Sequence, residues 1–148
     1  MTSKTILLVE DNPDDELLTL MAIKENNILN KVIVAHDGAE ALEILFGDGQ
    51  HASSDTILLP QIILLDLKLP KVDGIEVLQK IRNHPSTKLL PVIILTSSAE
   101  ETDILKSYQE GANSYIRKPV DFEQFTKAIK LLGLYWLVLN ESLTIKNQ

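Results

Sequence analysis

Three short runs of branched apolar residues constrain the fold more than any other feature of the chain: Ile6-Leu7-Leu8-Val9, Ile62-Ile63-Leu64-Leu65 and Val92-Ile93-Ile94-Leu95. None shows the polar alternation of a strand that faces water on one side. An unbroken apolar run of this length suits a strand buried on both faces of a parallel sheet. Val32-Ile33-Val34-Ala35 is a fourth candidate, and Ser114-Tyr115-Ile116 a weaker fifth.

Helical segments lie between these runs. Asn12-Pro13 reads as an N-cap followed by proline at the first helical position, with Asp14, Asp15 and Glu16 in the first turn, where the helix dipole favours acids. Leu17, Leu18, Met21 and Ile23 then offer an apolar face up to about Asn26. A second helix is expected from Asp37 to Phe46, with Ala41, Leu42 and Leu45 as its stripe. Ile75, Leu78 and Ile81 mark a third, followed by His84-Pro85, and Ile104, Leu105 and Tyr108 a fourth, stopped at Gly111. A fifth is expected to start near Asp121 and to run to about Leu139. Alternating strands and helices predict an α/β fold with a parallel sheet covered on both faces. The connection from Gly47 to Gln61 is longer than most between a helix and a strand, and reads as a surface insertion.

Composition removes several function classes. The 148 residues suit one domain, and 45% hydrophobic with 24% charged residues is ordinary for a globular chain. No cysteine is present, which rules out disulfides, thiolate metal sites and cysteine nucleophiles, and fits a cytoplasmic setting. The apolar run after Met1-Thr2-Ser3-Lys4 is too short for a signal-peptide core, and no stretch approaches the roughly 18–20 residues of a membrane span. A net charge of −7 with no basic run argues against direct nucleic-acid binding.

In such a sheet, ligands bind beyond the carboxyl ends of the strands. The residues that follow the apolar runs are Glu10 and Asp11, then Asp66, then Thr96, Ser97 and Ser98, then Arg117, Lys118 and Pro119. Carboxylates gathered at one edge repel one another unless a cation lies among them, and oxygen ligands suit a hard divalent ion such as Mg2+. An aspartate nucleophile, a nearby lysine and a hydroxyl complete a phosphoryl-acceptor site. Taken singly, Asp11 is capping-region chemistry, Thr96 a cap for the fourth helix and Lys118 a surface lysine. Their coincidence at strand ends favours the acidic, metal-assisted site.

Val9-Glu10-Asp11-Asn12, Leu65-Asp66-Leu67-Lys68-Leu69-Pro70 with Asp73-Gly74, Leu95-Thr96-Ser97 and Lys118-Pro119 together resemble the receiver domain of two-component response regulators. The resemblance runs from about residue 4 to residue 131. It implies a flavodoxin-like (CheY-like) doubly wound fold, with five parallel strands in the order 2-1-3-4-5 and five helices. Asp66 matches the phosphoacceptor. Asp11 matches the direct ligand of Mg2+ (or Mn2+), with Glu10 acting through water and the backbone carbonyl of Lys68 as the third protein ligand. Thr96 matches the switch hydroxyl, Tyr115 the aromatic switch position, and Lys118 the lysine that pairs with the phosphoryl group, with a cis Lys118-Pro119 peptide. Lys68 and Ser98 match positions that tune water access. The implied role is to accept a phosphoryl group from a histidine kinase and to signal by protein contact. It is that of a signalling protein, not of an enzyme with its own substrate.

Two further features narrow the expectation. About 17 residues follow Leu131, too few for a DNA-binding or catalytic output domain, so a stand-alone receiver over residues 1–148 is expected, with a C-terminal helix to about residue 140 and a short tail. From Ala128 to Leu139 that helix is apolar most of the way round. With Phe125, Ile129 and Leu132 on the sheet, Leu131, Leu134, Tyr135, Trp136 and Val138 are left for an interface, most simply a homodimer. The long connection, the Leu-Tyr-Trp-Leu helix, the Asp66-to-Lys71 segment and His84-Pro85-Ser86-Thr87 resemble the small response regulators of cyanobacterial phytochromes. That resemblance implies a light-sensing histidine kinase as partner, while the downstream protein stays unnamed. Two other readings remain: a pseudo-receiver that never carries phosphate, and a phosphohydrolase with an aspartyl nucleophile. Against the hydrolase, Lys68 stands where a second aspartate is usual.

Overall fold

The computed structural model describes residues 5–26, 28, 30–47, 59–97, 100–118 and 122–133. Five strands, β1 (Thr5–Val9), β2 (Lys31–Ala35), β3 (Ile62–Leu65), β4 (Val92–Thr96) and β5 (Ser114–Arg117), alternate with five helices: α1 (Pro13–Glu25), α2 (Gly38–Phe46), α3 (Gly74–Asn83), α4 (Glu101–Gln109) and α5 (Phe122–Leu132). All four strand pairings are parallel, and the order is β2-β1-β3-β4-β5, as the family resemblance implies.

The apolar runs are continuous because both sheet faces are covered. Leu7, Val9, Ile63, Leu65, Val92 and Ile94 point to one side, where they meet Ala41 and Leu45 of α2 and Val77, Leu78 and Ile81 of α3. Ile6, Leu8, Ile62, Leu64, Ile93 and Leu95 point to the other, against Ala22 and Ile23 of α1 and Phe125, Ile129 and Leu132 of α5. Burial of each such large side chain stabilises by about 1.5–3 kcal/mol before chain entropy is counted. The central strands β1, β3 and β4 are therefore specified most strongly.

Local signals place the helix ends. Asn12 Oδ1 accepts from the N–H groups of Asp14 (2.8 Å) and Asp15 (3.1 Å), and Pro13 follows at N1. Asp37 lies just outside α2 and accepts from Glu40 N at 2.7 Å. Glu100, not Thr96, is the residue that precedes α4, so the cap reading of Thr96 falls away. Thr87 Oγ1 donates to Ile81 O at 2.7 Å and satisfies a carbonyl near the end of α3, just past the His84-Pro85 break.

Two helix stripes differ from the expectation. On α1, Leu17 and Met21 are exposed, and Thr19, Ala22 and Ile23 are buried, with Leu18 half-buried. The inward face must fit between the sheet and α5, which packs beside it, and small residues fit there better. On α4, Leu105 and Tyr108 are exposed and Ser107 is buried, its hydroxyl donating to Asp103 O. This helix lies over the edge strand β5, where there is less apolar surface to cover.

Arg82 joins three chain segments at the amino end of the sheet. It donates to Gly111 O (2.8 Å), Lys88 O (3.0 Å), Leu90 O (2.8 Å) and Asn113 Oδ1 (2.8 Å). Gly111 has φ +103°, and an added Cβ would press on the Arg82 side chain. Among the described residues, no helix is long and apolar enough to cross a membrane. The connection over residues 48–58 and the stretch beyond residue 133, where the C-terminal helix was expected to continue, lie outside the described residues, as do Leu134, Tyr135, Trp136 and Val138 of the expected interface. Leu131, the remaining member, is 68% exposed on α5.

Candidate functional site

The parallel ladder carries its last hydrogen bonds past the strand ends and so delivers the site residues to one edge. Glu10 N donates to Ala35 O (2.9 Å), Asp66 N to Val9 O (3.1 Å) and Lys118 N to Thr96 O (2.7 Å). Glu10, Asp66 and Lys118 thus emerge from β1, β3 and β5 at one edge of the sheet, and Thr96 ends β4, between the last two, fully buried.

Asp66 is held by its loop. Gly74 N donates to Leu67 O at 3.0 Å, drawing the start of α3 against the turn. A Cβ on Gly74 would lie 2.3 Å from Asp66 O and 2.6 Å from Leu67 Cα, so the close approach requires glycine. This is the physical content of the Asp73-Gly74 motif. Lys71 takes a left-handed φ of 68° in the same connection.

Lys118 is the hub. Its Nζ contacts Glu10 Oε1 very closely, Asp15 Oδ2 at 3.0 Å and Asp66 Oδ2 at 3.1 Å. Glu10 Oε2 accepts from Asn12 N at 3.2 Å, and Asp66 Oδ1 from Lys68 N at 3.4 Å. Burial drives the Glu10 carboxyl up to about 7, against the pull of the Lys118 hydrogen bond and charge and with a further push from Asp66. Burial also disfavours the Lys118 ammonium, but Glu10, Asp66 and Asp15 together outweigh it and move its pKa upward. Lys118 is therefore a fixed positive charge.

One ammonium does not balance the acids around it. Glu10, Asp11 and Asp66 each bring a carboxylate oxygen to within 4.8 Å of the others. Glu10 and Asp66 are buried, and Asp11 is exposed at the mouth. An all-oxygen donor set with excess negative charge, open on one side, fits a hard divalent cation that keeps part of its water.

The expected site residues Glu10, Asp11, Asp66, Thr96 and Lys118 thus sit at one edge of the sheet. Lys68 is in the exposed turn after β3, its Nζ 3.8 Å from Asp103 Oδ2 on α4. Tyr115 is half-buried on β5 and packs against the cluster under α2 and α3. Pro119, and with it the expected cis peptide, lies outside the described residues, as does Ser98. Asp15 was not among the expected site residues. As one of three acids at the start of a helix it reads as dipole compensation. The available signal was that this first turn rises directly from the Glu10-Asp11 edge.

Residues 6–130 match the response regulator receiver domain family. Response regulator Rcp1 of Synechocystis is 37% identical over 134 residues, which span 90% of this chain and 89% of that protein. The crystal structure of the Mn(2+)-bound form of Rcp1 superimposes with a TM-score of 0.85 at 35% identity, over 95% of this chain and 99% of that one. The phosphorylated cyanobacterial phytochrome response regulator RcpA gives 0.87 at 36% identity, over 97% and 100%. The bacteriophytochrome response regulator RtBRR gives 0.77 at 50% identity, over 95% and 84%. The acids and lysine gathered at the carboxyl edge occur in a chain that belongs to the response regulator receiver domain family, signalling modules rather than enzymes with substrates of their own.

Proposed function

We propose that this chain accepts a phosphoryl group on Asp66 from a histidine kinase of the phytochrome type and passes the signal on by protein contact in the cytoplasm. The observation that carries the reading is the convergence on Asp66 of a fixed cation, Lys118, and two further acids, Glu10 and Asp11. The likeness to RcpA, a cyanobacterial phytochrome response regulator, and to RtBRR, a bacteriophytochrome response regulator, supports the choice of kinase.

Asp66 is the nucleophile. Its carboxylate oxygen forms a bond to phosphorus as the bond to the kinase's imidazole nitrogen breaks, and the imidazole leaves with the electron pair and is protonated. Asp11, Asp66 and the Lys68 carbonyl would hold Mg2+ or Mn2+, with Glu10 acting through water. A divalent cation held there neutralises charge on the phosphoryl oxygens and thereby favours attack by an anion. Lys118 pairs with a phosphoryl oxygen, and the Thr96 hydroxyl donates to another. Thr96 and Tyr115 then shift the surface built by α4, β5 and α5 between two populations. Water hydrolyses the acyl phosphate and resets Asp66, with Lys68 and Ser98 bordering its approach. The apolar sequence from Ala128 to Leu139, with Leu131 exposed on α5, supports a homodimer.

Intact-mass measurement after incubation with Mg2+ and acetyl phosphate tests this reading. A transient gain of one phosphoryl group, absent in Asp66→Asn, is the expected result. No gain would make the chain a pseudo-receiver, and sustained turnover of varied phosphate esters a phosphohydrolase.

A further inference from the structure

The three N–H groups of the Lys118 ammonium are matched by three carboxylates, Glu10, Asp15 and Asp66. Phosphorylation turns the Asp66 carboxylate into an acyl phosphate, so a first phosphoryl oxygen takes over the N–H that Asp66 accepts, and a second can gain a bond from Lys118 only by displacing Glu10 or Asp15. The three differ in exposure. The side chains of Glu10 and Asp66 are 1% and 9% exposed, and that of Asp15 is 36% exposed. A carboxylate left alone in the interior is strongly unfavourable, whereas one at the surface regains water when its partner leaves. Asp15 is the member that can be released.

Its position is also fixed independently of Lys118. Asp15 N donates to the capping oxygen of Asn12 at 3.1 Å, which anchors the first turn of α1 over the site. Neighbouring Asp14 carries the same charge on the same turn, is exposed, and is not among the partners of Lys118.

We propose that Asp15 is a positioning residue that latches Lys118 in the resting state and yields it to the phosphoryl oxygen. The N–H given to Asp15 is transferred to the phosphoryl group, and the freed Asp15 carboxylate turns to solvent. Asp15 thus competes with phosphate for Lys118 and sets how strongly the phosphoryl state is held. The inference rests on Asp66 as the phosphoacceptor.

The test is a titration of the full chain with beryllofluoride, a phosphoryl mimic, in saturating Mg2+, followed by 19F NMR. Wild type, Asp15→Ala, Asp14→Ala and Asp66→Asn are compared, and Mg2+ affinity is measured separately for each. Asp15→Ala should bind the mimic about threefold more tightly, the scale of one surface ion pair. Asp14→Ala should match wild type for the mimic and match Asp15→Ala for Mg2+. Unchanged or weaker binding by Asp15→Ala overturns the latch, as does an equal gain in Asp14→Ala, which would make the effect one of bulk charge. If wild type itself fails to bind the mimic, or Asp66→Asn binds it equally well, the phosphoacceptor reading fails and the latch fails with it. Binding by wild type alone with no effect at Asp15 removes only the latch.

Discussion

Lys118 Nζ, delivered by the end of β5, lies 3.1 Å from Asp66 Oδ2 at the end of β3, across the strand that carries Thr96. The pair is 52 residues apart in sequence and buried, and it links the proposed phosphoacceptor to the edge strand β5.

Removal of Lys118 leaves Glu10 and Asp66 buried without their shared cation. Lys118→Met should lower unfolding stability by about 3 kcal/mol in EDTA, at the lower end of what breaking a buried pair costs. Mg2+ should restore part of that loss by returning positive charge to the acids. Urea denaturation with and without Mg2+ measures both effects, and an equal loss in the two conditions would argue against the shared acidic site.

Gly74→Ala forces a Cβ into Asp66 O and the Leu67 backbone. The start of α3 and the Asp66 turn must separate. A destabilisation of about 1–3 kcal/mol is expected from the overpacking. Phosphorylation by acetyl phosphate should slow as well, because the displaced turn carries the nucleophile. A variant with wild-type urea midpoint and wild-type rate would show that the turn yields freely.

Arg82→Ala removes four hydrogen bonds that tie α3 to the two loops at the amino end of the sheet. A charged donor to neutral acceptors contributes about 1.5–3 kcal/mol, so a loss of about 2 kcal/mol or more is expected. The acceptor site is at the opposite end of the strands. The phosphorylation rate of the folded variant should therefore stay within about twofold of wild type, as expected for separated sites. A larger change in rate would reveal coupling along the sheet.

The homodimer proposal is checked by sedimentation. Wild type should sediment as a dimer and Tyr135→Ala/Trp136→Ala as a monomer. A monomeric wild type, or a double variant that remains dimeric, would remove the C-terminal helix from the interface.

The fold class was legible because its signal is local. A strand buried on both faces must be apolar at every position, so Ile62 to Leu65 announces itself without reference to any partner. The same logic located Asp66, since a charged residue can follow such a run only where the strand leaves the core. The faces of α1 and α4 were less legible. Leu17, Met21, Leu105 and Tyr108 are apolar yet exposed, because a helix against an edge strand or a neighbouring helix has less to bury than its sequence offers.

By itself, then, the sequence determined the parallel sheet, the position of its carboxyl edge and the identities of Glu10, Asp11, Asp66, Thr96 and Lys118 as its occupants. Hydrophobic periodicity and strand-end position are properties of short segments, and they survive translation into one dimension. Only the tertiary structure decided that Lys118 is shared among three carboxylates and that Asp15 is the third. It also showed that Gly74 is glycine because Asp66 stands against it. Those facts depend on which strands are neighbours and how deeply each side chain lies. Both are set by packing between segments that the chain keeps far apart.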